Sequence, residues 1–105
     1  MQRESLMKNN FFQVLGLAQR ARKLTLGEEF VLQSVRNGQA KLVILATDAG
    51  KNTTKKITDK CNSYDVPLLQ VGTRVDLGTA VGKGERVVMA VTDSGFCQML
   101  RGLVT

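Results

Sequence analysis

The sequence predicts an α/β fold: a three-layer α/β/α sandwich around a four-stranded mixed sheet. Three observations predict it. Helix-like and strand-like segments alternate from one end of the chain to the other, which favours a sheet covered by helices. Residues 42–46, LVILA, form an uninterrupted apolar run, the pattern of a strand buried on both faces. The stretch 27–50, GEEFVLQSVRNGQAKLVILATDAG, strings together a glycine, an amphipathic helix, a tight RNG turn and that strand.

The elements follow in order. Asn9 and Asn10 offer caps for a helix entering Phe11, with Ser5 as an earlier alternative, and Phe11, Val14, Leu15 and Ala18 repeat at helical spacing. The helix closes on Arg20-Ala21-Arg22-Lys23, where cations suit the C-terminal end of the dipole. Residues 23–26 form a short strand. Gly27 permits a turn into a helix over 28–37, with Glu28 and Glu29 in its first turn, Val31 and Val35 paired at i+4, and Gly38 as its stop. A third helix covers 51–64, capped by Asn52 or Thr53. Thr54, Ile57, Cys61 and Tyr64 share its apolar side, while Lys51, Lys55 and Lys56 point away. Pro67 blocks further helix and opens a strand over 68–71. Gly72 precedes Thr73-Arg74-Val75-Asp76, a capped start for a short helix ending near Gly78 or Gly82. Residues 87–91 give the fourth strand, and Thr92-Asp93-Ser94 cap a last helix carrying Phe96, Leu100, Leu103 and Val104. No linker, repeat or low-complexity segment interrupts the pattern, so residues 1–105 read as one domain.

The net charge is +6 with no histidine, and the excess is local. Arg3, Lys8, Arg20, Arg22 and Lys23 face only Glu4 in the first 23 residues. Lys51, Lys55, Lys56 and Lys60 face only Asp59 in 51–60, and the last 45 residues balance to zero. Two basic clusters point to a polyanion. A solvated helix face explains the second cluster equally well. No apolar run is long enough to span a membrane, and the polar start MQRESLMKNN lacks the core of a secretory signal, so a cytoplasmic location is expected.

Catalytic and metal chemistry find no footing. A hydrolytic site needs a base, an oriented nucleophile and a stabilised transition state. Histidine is absent, and the adjacent Glu28 and Glu29 face different ways. Residues 78–84, GTAVGKG, have three residues between the glycines and a glycine after the lysine, unlike a phosphate loop, and read as a flexible glycine turn. Cys61 and Cys97 lack the partners a zinc site requires and read as small core residues. No cofactor is expected.

The segments LGLAQRARKLTLGEE (15–29), RNGQAKLVILATDAG (36–50), KKITDKCNSYDVPLLQVGTRVDLGTAVGK (55–83) and VVMAVTDSGFCQML (87–100) together resemble the L7Ae/L30e/S12e/Gadd45-like family, in particular its small bacterial members. The resemblance implies a non-enzymatic RNA-binding protein, a monomer acting on structured RNA of kink-turn type, with ribosomal RNA and the ribosome as candidate partners. It further implies that the helix after Gly27 enters the RNA groove and that the loop Val71, Gly72, Thr73, Arg74 caps looped-out bases. The archaeal members carry Gly-x-Asn-Glu-x-x-Lys after the strand. Here Glu29, Phe30 and Gln33 occupy the three specific places, beside Glu28. Ionised Glu29 donates no hydrogen bond, and Gln33 keeps a donor and an acceptor without charge. Phe30 either stacks on a base or, as large apolar side chains usually do, fills the core. Arg22, Lys23 and Lys51 are expected to flank the same end of the sheet and meet phosphate, a contact without sequence information. The rival reading is a protein-interaction module on the same fold, for which Phe30 would lie exposed.

Overall fold

The computed structural model of the protein describes residues 2–104, with side chains from Asn9 onward. Nine elements follow one another: α1 (Gln2–Arg20), β1 (Leu24–Leu26), α2 (Glu28–Arg36), β2 (Leu42–Leu45), α3 (Lys51–Ser63), β3 (Leu68–Gln70), α4 (Arg74–Ala80), β4 (Val88–Val91) and α5 (Ser94–Gly102). The strands form one sheet in the order β1-β4-β2-β3. β4 pairs antiparallel with β1 and β2, and β2 pairs parallel with β3, so the sheet is mixed.

The three layers follow from the alternation along the two central strands. Leu42, Ile44, Met89 and Val91 face a core closed by Phe11, Leu15, Leu77 and Leu100 from α1, α4 and α5. Val43, Leu45, Val88 and Ala90 face the other core, closed by Val31, Leu32 and Val35 of α2 and Ile57 and Cys61 of α3. Every residue of β2 and β4 is buried, as the pure apolar run requires.

Several local expectations need correction. α1 begins at Gln2, so Asn9, Asn10 and Ser5 lie within it and cap nothing. The residues before Phe11 are mostly good helix formers, and propensity carries the helix through them. The α3 cap is Gly50, without a side-chain bond, which places Asn52 and Thr53 inside the first turn. Tyr64 is exposed because it is the C-cap residue, past the apolar stripe. Val104 is also exposed, beyond the end of α5. Gly78 belongs to α4 rather than to a flexible turn, and it is buried where an added Cβ would overlap the Gly84 carbonyl oxygen. Two caps are as expected. Thr73 and Asp76 form a reciprocal capping box, and the Asp93 carboxylate accepts the Phe96 N–H at 2.9 Å.

The first four helices all end in the same double hydrogen bond. In α1 the Lys23 N–H donates to the Ala18 carbonyl (2.9 Å) and the Arg22 N–H to that of Gln19 (3.0 Å). Equivalent pairs close α2, α3 and α4. The motif demands a left-handed residue after the C-cap. Gly38 and Gly82 fill that place in α2 and α4, but Arg22 (φ 60°) and Asp65 (φ 55°) fill it in α1 and α3.

Candidate nucleic-acid interface

β1, β2 and β3 run in one direction and β4 runs against them. The residues after β1, β2 and β3 therefore meet the residues before β4 at one end of the sheet. Gly27, Asp48, Gly72 and Arg86 come together there, and α2, α3 and α4 all begin there.

Hydrogen bonds lock these loops to one another. The Thr47 N–H and hydroxyl both donate to the Gly72 carbonyl, at 2.8 and 3.1 Å. The Arg74 N–H donates to the Asp48 carboxylate at 2.9 Å, and its Nη2 donates to the Asp48 carbonyl at 2.6 Å. Its Nε lies 3.5 Å from the same carboxylate. The Arg74 carbonyl in turn accepts the Arg86 N–H at 3.0 Å. Arg74 is thus part of the rivet joining the β2, β3 and β4 ends, with guanidinium N–H groups left over for a ligand. Gly72 adopts φ 80° and is pressed onto α1, so that a Cβ there would stand 2.7 and 2.9 Å from the Phe12 ring.

On the neighbouring side, α2 starts directly after Gly27 (φ 98°). The Glu28 carboxylate accepts from the Thr53 hydroxyl at 3.0 Å and from Lys56 Nζ at 2.8 Å. The Lys56 ammonium, then the Thr53 hydroxyl, hold the Glu28 carboxyl below its ordinary value. Lys56 therefore reaches across to α2 instead of pointing away, and Glu28 links the two helices. Lys55 pairs with Asp59 along its own helix at 2.8 Å. Lys51, the first residue of α3, is exposed, as are Glu29 and Gln33 on α2.

Phe30 is 65% exposed, which overturns the core expectation. Val31, Leu32 and Val35 already cover the sheet. Phe30 falls in the first turn of α2, where the helix overhangs the strand ends. Its ring borders an open recess shared with Leu26, Gly27, Thr53, Arg86 and Val87.

The end-of-sheet grouping excludes two expected members. Arg22 and Lys23 precede β1, whereas Gly27 follows it. Four residue steps of about 3.3 Å put Lys23 about 13 Å from Gly27 along the strand, with Arg22 one residue further, at the opposite end of the sheet. Lys23 there accepts, through its carbonyl, the Thr92 N–H and hydroxyl at the far end of β4. Asp48, Thr53 and Arg86 complete the near end, though the sequence reading assigned none of them a site role and marked Thr53 only as a helix cap. Each stands beside a strand or helix boundary, and only the antiparallel placement of β4 between β1 and β2 brings Arg86 to Gly27 and Arg74.

Among the described residues no group of three or more metal-ligating side chains exists, and no helix is long and apolar enough to cross a membrane. Cys61 and Cys97 are buried free thiols, each in a different core layer.

A family model for the ribosomal protein L7Ae/L30e/S12e/Gadd45 family matches residues 9–100. The chain is 53% identical over 94 residues to the RNA-binding protein YlxQ of Bacillus subtilis, covering 90% of this chain and 94% of that protein. It is 31% identical over 100 residues to the large ribosomal subunit protein eL30 of Tetrahymena thermophila, covering 93% and 96% of the two chains. Among solved structures, one of a protein of unknown function from Bacillus halodurans C superimposes with a TM-score of 0.87 at 53% identity, over 90% of this chain and 95% of that one. The Giardia lamblia 15.5kD RNA binding protein superimposes with a TM-score of 0.79, over 96% of this chain and 84% of that one. At 21% identity it shares the fold.

Proposed function

We propose, because this chain belongs to the ribosomal protein L7Ae/L30e/S12e/Gadd45 family, that it is a non-enzymatic, monomeric RNA-binding protein gripping structured RNA of kink-turn type. The family is one of ribosomal-type RNA-binding proteins rather than enzymes, and relatives are named RNA-binding protein and large ribosomal subunit protein. Ribosomal RNA is accordingly the first candidate partner, met in the cytoplasm by one domain spanning 1–105.

The observation that carries the reading is the exposed Phe30 ring beside Gly27 and Arg86, on the same end of the sheet as Gly72, Arg74 and Lys51. An unstacked base is recognised by stacking on an aromatic face, and the surrounding backbone by cations. Phe30 supplies the face, Arg86 lines the same recess together with Glu28 and Glu85, and Arg74 and Lys51 stand at the same end of the sheet. Glu29 and Gln33 set the edge contacts of α2. Val71, Gly72 and Thr73 form a cap stiffened by the Thr47 and Asp76 bonds, so the loop loses little freedom on binding. Shape recognition by such a scaffold needs no cofactor.

A titration of kink-turn RNA tests this, beside the same duplex with its G·A pairs replaced by Watson–Crick pairs, at two salt concentrations. A preference for the kinked RNA that persists at physiological salt supports the reading. Equal and salt-sensitive binding to both sinks it. Base–aromatic stacking is worth about 1–3 kcal/mol, so Phe30→Ala should weaken binding by roughly ten- to a hundredfold with little loss of fold stability. The exposure of Phe30 also favours a second reading, a protein-docking face. That reading predicts that Phe30→Ala abolishes partner capture while RNA affinity stays as it was.

A further inference from the structure

We propose that the opposite end of the sheet carries a second phosphate-binding surface, built on Arg22, Lys23 and Lys41, that holds the backbone of another RNA segment. The surface extends the proposed RNA function and rests on RNA being the partner.

Two observations carry it. The first is convergence. β4 lies between β1 and β2, and its last residues are flanked by the starts of both neighbours. Lys23 binds Thr92 through its carbonyl, and the Lys41 N–H donates to the Val91 carbonyl at 2.7 Å. Arg22 and Lys41 line one polar recess with Thr25, Gln39 and Thr92. All three cations are exposed, and none has an ion-pair partner among the described residues. The adjacent carboxylate, Asp93, is engaged in capping α5 through the Phe96 N–H. Lys55, Lys56 and Arg74 are instead each paired with an acid.

The second is the backbone at Arg22. It holds φ 60° at the place in the helix-ending motif that Gly38 and Gly82 occupy in α2 and α4. Glycine takes this conformation without steric penalty, and a side chain like arginine's does not. Asp65 takes the same place in α3 at φ 55° without a cationic neighbourhood, so the strain at Arg22 counts only together with the exposed cations beside it. An outlier of this kind at an exposed cation, beside two others, points to ligand contact. Arginine and lysine at a concave polar surface fit phosphate oxygens.

The patch lies about 13 Å along the sheet from Gly27, with the molecule only 26–36 Å across. Two RNA segments can thus be held on opposite ends of one chain.

The test uses the full chain and two probes: kink-turn RNA and a plain A-form RNA duplex. With kink-turn RNA saturating, the plain duplex should still bind, giving a ternary complex by fluorescence anisotropy and native mass spectrometry. The double variant Arg22→Gly/Lys41→Gln should lose on the order of thirtyfold in plain-duplex affinity at 0.15 M salt. Its slope of log K against log salt should flatten by about 2, two phosphate contacts at about 0.9 each. Arg22→Gly alone should melt no lower than the unaltered chain, so lost binding is not lost folding. Competition between the two RNAs in place of a ternary complex would overturn the proposal, as would unchanged duplex binding by the double variant. If kink-turn RNA does not bind at all, the reading of the first site fails. The plain-duplex titration of the free protein then judges the second surface by itself.

Discussion

Gly72→Ala tests whether the cap loop is held by contact with α1 or only by its own turn. An added methyl meets two obstacles. Its backbone at φ 80° disfavours any L side chain, at about 1 kcal/mol. The methyl would also stand 2.7 and 2.9 Å from the Phe12 ring and 3.2 Å from the Asp76 Cβ, and overpacking of that kind costs about 1–3 kcal/mol. A loss of about 3 kcal/mol is expected from the two together. Gly82→Ala supplies the control, because Gly82 has φ 71° and nothing within 4 Å of the place its Cβ would take. It should lose only the backbone part, about 1 kcal/mol. The stiffening of the unfolded chain by alanine is common to both and drops out of the comparison. Urea unfolding at pH 7, read as the shift in midpoint at constant m, gives both values. The pair is then repeated in a Phe12→Ala background, where the excess at Gly72 should fall to what the Asp76 Cβ contact at 3.2 Å leaves. Equal losses for the two glycines, or an excess undiminished by removal of the ring, would refute the idea that α1 positions the cap.

Three further outcomes are expected. The Ser34 hydroxyl of α2 is buried without a hydrogen-bond partner among the described residues, so Ser34→Ala should raise the unfolding free energy by about 1 kcal/mol; a loss measured by urea titration would show the hydroxyl to be satisfied. The Glu28 carboxyl titrates below its ordinary 4.5 and the Lys56 ammonium above its ordinary 10.5, so their bridge stabilises the fold between those values, fading as pH falls through the lowered Glu28 value or rises through the raised Lys56 value. The stability difference between the unaltered chain and Glu28→Gln should therefore be greatest near neutrality and shrink at both extremes and in high salt, and a difference flat with pH would count against the bridge. Burial pushes the Cys61 thiol up to about 11, so a disulfide reagent at pH 8 should modify it only at the rate at which the protein opens; immediate reaction in the native state would contradict its place between α3 and the sheet.

Much of the fold was legible because its signals are local. The apolar run at 42–46 gave a strand covered on both faces, and Thr73 with Asp76, like Asp93 before α5, announced their caps through residue type and spacing alone. The misplaced starts of α1 and α3 arose where several polar residues compete for one cap and packing and propensity decide among them. The candidate site was legible in part. Gly27, Gly72 and Arg74 sit beside strand ends, which sequence order marks. The same order puts Arg22 and Lys23 before β1 and Gly27 after it, so their separation was legible as soon as 23–26 was read as a strand. Residue type left Phe30 between a core place and a base-stacking one, and the covering of the sheet by Val31, Leu32 and Val35 decides for the outside. Asp48 and Arg86 gain their meaning only from long-range contacts: Arg74 with Asp48 spans 26 residues.

The strand order β1-β4-β2-β3 also constrains how the chain is made. The strand that lies between β1 and β2 is the last to be synthesised, and Leu24 waits for Val91, its register partner. Until residues 88–91 leave the ribosome, β1 has no neighbour and β2 has an open edge facing where β4 will lie. Such edges invite pairing with other chains, and late, non-local pairing slows closure of the sheet. A nascent chain cut short before β4 is therefore left with a parallel β2–β3 pair, an open β2 edge and helices that lack Val88, Met89, Ala90 and Val91 to pack on, a species for chaperones and proteases rather than for RNA.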